Sequence, residues 1–485
     1  MRLLAAPLVH PLLWLSLAML FAGCDFGRPS EPALPPPRTS PLSVAVIDDE
    51  PLAAAVRREL AARADGEVNV ESVSSGQFLA QSRQLHDVLI YPPAMMGELI
   101  ERQWIVPLPA QWNSLEGNPV RSEDALADVA KALRQTELRW GTKTYALPLG
   151  SPVLILMVRA DLLDQLDLEV PQTWQQYQQA VETIQQSDLL KENEPVVAAT
   201  LEPLADAYLP ELWLARSAAY VKHSENLSTY FDYATGEAKI AGPGFVRAAE
   251  ELAAVAATIP EDLRSLSPQG TAEAFLTGRS VMAIGWVTSA TEVADEAPAD
   301  VTFAPLPGSV EIYRANENRW ASTDDTTTPS VPLISTAGMV GSISATSGDT
   351  LAAAAILGSL SGEQLAPLIS PASGSTMLFR TASLPQAEAW LHGKLPGTAL
   401  RQYAQITLEQ LQSPRHLPTI RLPRRADYLE AARAALKSIL EMEEADPTGP
   451  LSDAAERWNR LANQQEHQQH IQMFRNSQGI GDTAF

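Results

Sequence analysis

Cys24 is the only cysteine among 485 residues, so no disulfide can close within this chain and its fold must be held by an apolar core. The material for one is present, with 45% of residues hydrophobic and 19% charged. The cysteine also marks a boundary. Before it, residues 3–22 carry no charge and follow Arg2; after it, Pro29, Pro32, Pro35, Pro36, Pro37 and Pro41 forbid helix and favour an extended, solvated strut.

The segment Leu20-Phe21-Ala22-Gly23-Cys24 resembles a bacterial lipobox, with Phe21 where Leu, Val or Ile is usual. The resemblance implies a signal peptide over 1–23, acylation of Cys24, and attachment to the membrane through that lipid. Residues 24–42 then form a tether, which at about 3.1 Å per residue would lift the body by up to roughly 50 Å. The alternative is an uncleaved membrane helix, for which about 20 apolar residues would suffice. Against it, Pro7 and Pro11 sit early in the run. Loss of the leader removes Arg2 and no acid, so the net charge of −23 becomes more negative by one. Such a surface repels phosphate backbones and argues against nucleic-acid binding.

Order is expected from residue 43. Residues 43–47 read as a buried strand, 51–63 as a helix with proline in its first turn, 67–71 as an alternating strand, and 87–91 as a third strand before a helix over 95–103. This alternation defines a parallel sheet covered by helices, an α/β architecture. A second α/β unit follows, with strands over 145–149, 153–158, 195–200, 280–285 and 301–306 and helices over 174–186, 204–220, 245–257 and 271–276. Residues 316–332, rich in Thr and Asp, read as a surface loop. Residues 337–344 read as a small-residue strand, 349–359 as an Ala-rich helix, and 398–463 as several helices. The polar end, 465–485, is expected to fray.

Three segments resemble the extracellular solute-binding proteins of ATP-driven (ABC) importers, a class that includes sugar-binding lipoproteins. The first is Tyr145-Ala146-Leu147-Pro148-Leu149-Gly150-Ser151, continuing to Val158-Arg159-Ala160-Asp161-Leu162-Leu163; Val158-Arg159 stands where the family has Tyr-Asn. The second is Pro171-Gln172-Thr173-Trp174, similar to the family's helix start. The third runs Phe275-Leu276-Thr277-Gly278-Arg279-Ser280-Val281-Met282 to Gly285-Trp286. The resemblance implies a two-lobed type 2 periplasmic binding fold with a cleft between lobes and several hinge crossings, near Leu149, Leu306 and Phe379. Lobe 1 would hold 43–149 and 307–378, and lobe 2 would hold 150–306 and 379–464. It further implies capture of a small solute by lobe closure and delivery to ABC permease subunits, with no cofactor, no metal and no catalysis.

The residues themselves suggest where a solute would sit. Thr173 can cap the helix opened by Trp174, and Gly278 reads as a helix stop; both are structural. The strand after Gly278 delivers Trp286 to its carboxyl end, the edge at which open α/β sheets place ligands, where an indole can stack on a sugar. Packing beneath a helix is the alternative for Trp286. Tyr91 ends its strand before Pro92-Pro93 and is expected to face the cleft, or else to cover the sheet edge. Asp48 and Asp49 end the first strand and could accept hydroxyls or meet a cationic solute, or form a solvated acidic turn with Glu50. Family position makes Ser151 a cleft hydroxyl and Tyr428 an aromatic returned to the pocket.

Sugar is the favoured solute, polyamine a possible one given the acidic pair, and ferric iron is disfavoured because no adjacent tyrosine pair is present. Asp48-Asp49 before Pro51 also looks like the start of a receiver domain, but the strand over 87–91 ends in Tyr91-Pro92 where a phosphorylatable Asp is required. No His-Glu-x-x-His, Gly-x-Ser-x-Gly or P-loop motif occurs. Glu466-His467 with His470 has metal-like spacing, in a segment that reads as a solvated helix end. A hydrolytic carboxylate pair, as in a carbohydrate-active hydrolase, and use of the same fold as a sensor or membrane-complex scaffold remain the alternatives.

Overall fold

The computed structural model describes residues 41–63, 68–109, 126–223, 226, 228–293, 300–323, 330–391, 393–442, 444–464 and 467–481. The leader, Cys24 and most of the tether lie outside these residues. Ten strands build two sheets: β1 (Leu42–Ile47), β2 (Val68–Val73), β3 (Val88–Tyr91), β4 (Ile105–Val106), β5 (Ala146–Gly150), β6 (Ile155–Arg159), β7 (Ala198–Leu201), β8 (Ser280–Gly285), β9 (Val301–Pro305) and β10 (Met339–Ser344). The first sheet runs β2-β1-β3-β10-β4, with β5 also paired to β10; the second runs β9-β6-β8-β7. This is a two-lobed α/β fold.

Strands β3, β5, β8 and β10 are buried on both faces, which is why they read as apolar runs, whereas the edge strand β2 alternates. In β1, Val44 and Val46 point to one face, against Leu52, Ala53 and Val56 of helix α1 (Glu50–Ala61), and Ala45 and Ile47 to the other. The second lobe is covered by α2 (Trp174–Gln186), α3 (Leu209–Val221), α4 (Pro243–Thr258) and α5 (Pro268–Leu276). Thr173 forms a capping box, its hydroxyl accepting from the Gln176 amide at 3.1 Å while the Gln176 side chain accepts from the Thr173 amide at 3.2 Å. Thr173→Ala should therefore lower unfolding free energy by about 1 kcal/mol, read from the urea midpoint; an unchanged midpoint would contradict the cap's contribution. Gly278 has φ +80, the left-handed stop expected of it.

Four longer helices lie toward the C-terminal end: α6 (Gly397–Gln412), α7 (Arg425–Leu440), α8 (Thr448–Ala462) and α9 (His467–Ser477). Among the described residues no helix is long and apolar enough to cross a membrane.

Three expectations need correction. The chain passes from the first sheet to the second after Gly150, but its return falls between Ile334 and Met339 rather than near Leu306, because a hairpin of Glu311–Arg314 and Arg319–Ser322 packs on α3 and α4 first. That hairpin occupies part of the expected loop over 316–332. Trp320 drives it, with its ring 5.7 Å from Tyr220 and under the Arg247 guanidinium at 4.7 Å. The third correction is the C-terminal end, which docks as α9. Its glutamines conceal a stripe of His470, Met473, Phe474 and Ser477 at helical spacing, all buried.

Candidate functional site

Two of the chain crossings between the lobes converge on one buried carboxylate. Glu137 ends a short π-helical segment, Leu133–Glu137, and is fully buried. It accepts Ser151 Oγ at 2.7 Å from the crossing after β5 and Ser335 Oγ at 3.0 Å from the crossing before β10. Gly338, at φ +105, lies so close that a Cβ would meet Ser151 Oγ at 2.4 Å, so the two crossings touch directly. Burial pushes the Glu137 carboxyl up to about 7, against the pull of the two hydroxyls and of Arg421. Arg421 is equally buried, and burial lowers it to about 10 although Glu137 and Tyr91 favour its charge. Its guanidinium donates to the main-chain carbonyls of Thr136 and Glu137, both at 2.8 Å, and of Arg139 and Ser477, both at 3.2 Å.

A second junction joins the carboxyl ends of the two sheets. Asp49, after β1, caps α1 by accepting the Leu52 amide at 2.9 Å and takes a hydrogen bond from Ser373 Oγ on its other oxygen. The Ser373 carbonyl in turn accepts Ser289 Oγ at 3.2 Å, from the loop that follows β8 and Trp286. A Cβ on Gly374 would stand 2.9 Å from that of Ala290. The lobes are thus shut along an Asp49–Ser373–Ser289 seam.

Each residue singled out from the sequence can be placed against these junctions. Ser151 and Asp49 are members of them. Tyr91 is near the first but does not face a cleft: β3 extends through it, paired to Val340, so its ring lies on the sheet face and its hydroxyl bonds Ser342 Oγ at 2.7 Å. Trp286 stands beside the seam. Its amide donates to the Pro268 carbonyl at 3.3 Å and its ring meets Tyr208 edge-on at 6.2 Å, leaving it 4% exposed. Gly285 before it has no room for a side chain, since a Cβ would fall 2.3 Å from the Pro268 carbonyl. Asp48 is exposed at φ +57 and accepts the Ser75 amide at 2.8 Å. Tyr428 is not gathered with the others. It packs between Phe231 at 5.8 Å and Trp458 at 5.3 Å, and its carbonyl accepts Trp458 Nε1 at 2.8 Å.

Sequence reasoning did not find Glu137, Ser335 or Glu202. The signal for Arg421 was a lone cation between Ile420 and Leu422; for Glu202 it was a lone acid directly after a fully buried strand. Glu202 and Arg216 form a buried ion pair, with Tyr177 Oη donating to Glu202 at 2.8 Å and the guanidinium 4.2 Å above the Trp174 ring. Two cavities, of ≈ 600 Å³ by Leu384 and Leu400 and of ≈ 700 Å³ by Asp232 and Lys239, contain none of the six candidates. Among the described residues no three of His, Cys, Asp and Glu converge as a metal site. Glu466 is outside those residues, and His470 packs edge-on against Phe231 at 4.7 Å.

The sequence profile of the bacterial extracellular solute-binding protein family matches residues 48–321, more than half of the chain. The chain belongs to that family. Its fold is that of solved ABC transporter solute-binding proteins: one from Agrobacterium radiobacter K84 in complex with ribitol is 16% identical, with a TM-score of 0.59 over 87% of this chain and 99% of that one. One from Thermotoga lettingae TMO bound with alpha-D-tagatose is 14% identical, with a TM-score of 0.60 over 87% and 100%. The maltose-bound MalE3 of T. maritima is 15% identical, with a TM-score of 0.59 over 87% and 100%. No curated protein matches the sequence.

Proposed function

We propose that this protein is a lipid-anchored receptor that captures a small carbohydrate or polyol between its lobes and delivers it to an ABC permease, without breaking a bond. The observation that carries the reading is the seam, where the carboxyl ends of β1 and β8, one from each lobe, meet through Ser373. Ligands of open α/β sheets bind at that edge. When the Ser289–Ser373 hydrogen bond parts, Asp49, Ser289 and Ser373 offer acceptors and donors to sugar hydroxyls, and Trp286 offers an aromatic face. A solute touching both lobes favours the shut state by its differential affinity. The sugars and polyol named with the structural neighbours point to the same solute class. Cys24 supplies the anchor and the proline-rich segment the tether, so Cys24→Ala should yield a precursor that is neither lipid-labelled nor processed; continued labelling would remove that part of the proposal.

A thermal-shift series with ribitol, tagatose, maltose, spermidine and metal ions tests the solute class. A carbohydrate at about 100 times its Kd should add roughly 2.7 kcal/mol of stability. The increment should shrink sharply in Trp286→Ala when each variant is compared with its own unliganded melt. A full-sized increment in Trp286→Ala would remove that residue from the site, and stabilisation by spermidine alone would replace the carbohydrate reading with a polyamine one.

A further inference from the structure

The C-terminal helix touches both lobes. On the lobe 2 side, Phe474 of α9 lies 5.2 Å from Phe231, 5.3 Å from Tyr233 and 6.4 Å from Tyr230, and Tyr230 in turn packs on Phe245 of α4. A Cβ on Gly236 would come within 3.1 Å of His467, so the loop is moulded to the helix. On the lobe 1 side, α9 meets the hairpin of Arg139–Trp140 and Lys143–Thr144, which leads straight into β5. The Gly141 amide donates to the Asn476 carbonyl at 2.8 Å. Beyond the helix, Gly479 at φ +76 approaches the Gln135 carbonyl so closely that a Cβ would sit 2.7 Å from it, and a Cβ on Gly481 would sit 2.3 Å from Thr142 Cγ2.

The same helix end reaches the hinge centre. The Ser477 carbonyl shares Arg421 with the carbonyls of Thr136 and Glu137, and Glu137 holds the Ser151 and Ser335 crossings. A hinge moves by dihedral change in such crossings, so whatever fixes their partners fixes the angle between lobes.

We infer that α9 and the turn after it form a clasp that sets the resting separation of the two lobes, with Arg421 and Glu137 as positioning residues linking the clasp to the hinge crossings. Lobe 2 holds the clasp by aromatic packing, and lobe 1 holds it by the Gly141–Asn476 main-chain hydrogen bond and two glycine contacts. The two attachments are chemically distinct and can be released separately. This deepens the receptor reading, on which it rests only for the consequence that loosening the clasp alters solute affinity.

The test is the distance between spin labels on Leu351→Cys, exposed on a helix over the first sheet, and Val197→Cys, exposed beside β7, in a Cys24→Ser background of the full chain. Gly479→Val and Gly481→Val each force a side chain into the lobe 1 contact while leaving Phe474 seated. Both should broaden the distance distribution and shift it away from that of the parent, without solute present. A merely structural role would lower the melting temperature and leave the distribution in place, which would overturn the inference. Hydrogen exchange on the otherwise unaltered chain adds a measurement that requires no glycine variant to fold. The Gly141 amide should be protected in step with the amides of α9, and rapid exchange at Gly141 beside a protected α9 would also overturn it. A failed sugar titration with a shifted distribution would leave the clasp standing and sink only the receptor reading.

Discussion

Arg216→Met is expected to lower the free energy of unfolding by about 3–5 kcal/mol, the cost of stripping one partner from a buried ion pair. Arg216 and Glu202 are 1% and 0% exposed, so neither charge has water to fall back on. With the guanidinium gone, Glu202 keeps only the Tyr177 hydroxyl at 2.8 Å, itself shared with Thr200 Oγ1 at 2.6 Å. The Trp174 ring also loses the cation 4.2 Å above it, where a desolvated cation–π contact contributes about 2 kcal/mol. Replacing both charges, as Arg216→Met with Glu202→Leu, should recover most of the loss, because a well-packed apolar pair leaves no uncompensated charge. Equilibrium urea unfolding of the two variants decides it. A single-variant loss under about 1 kcal/mol would mean that the pair behaves as a solvated surface bridge.

Glu137→Gln is expected to leave stability nearly unchanged at pH 5 and to raise it by up to roughly 3 kcal/mol at pH 8, a rare stabilising change at a fully buried position. Burial holds the Glu137 carboxyl at about 7 in the folded chain, above its ordinary 4.5. The folded state therefore binds its proton more tightly than the unfolded state does. That contribution is complete below pH 4.5 and is lost as pH rises through about 7. Above it, a charged carboxylate is buried, and the Ser151 and Ser335 hydroxyls together with Arg421 offset only part of the cost. Gln keeps the acceptor for one hydroxyl and never ionises. Buried His416 and His470, both lowered to about 4, tilt the wild-type curve the other way, since their contribution is lost as pH falls below their ordinary 6.5. The difference between variant and wild type cancels them. A flat difference between pH 5 and 8 would show that Glu137 is not the titrating group.

Much of the scaffold could be read from the chain because several of its strands are buried on both faces. The runs at residues 43–47, 87–91 and 280–285 could hardly be anything else, and Thr173 and Gly278 act locally, through a cap and a positive φ. What failed depended on partners distant in sequence. Tyr91 had two readings, facing the cleft or covering the sheet edge, and pairing with Val340 and the bond to Ser342 Oγ hold its ring on the sheet. Glu137 gains its environment from Ser151, Ser335 and Arg421, which no local spacing relates to it. In the tail, polar composition outweighed a stripe of four residues at helical spacing. The carboxyl-end rule for α/β sheets directed attention to Trp286 and Tyr91, and the loop just after Trp286 supplies Ser289, whose hydroxyl donates to the Ser373 carbonyl in the other lobe.

Small-angle scattering of the full chain, with and without the carbohydrate that most raises its melting temperature, tests most directly whether this is a receptor that shuts on a solute. Saturating solute should reduce the radius of gyration or narrow the spread of lobe separations to the shut form held by the Asp49–Ser373–Ser289 seam, and Ser289→Ala, which removes the hydroxyl that donates to the Ser373 carbonyl across the lobes, should blunt the change. Identical scattering curves across sugars and polyols that produce no thermal shift, or release of a cleaved product from any of them, would contradict it.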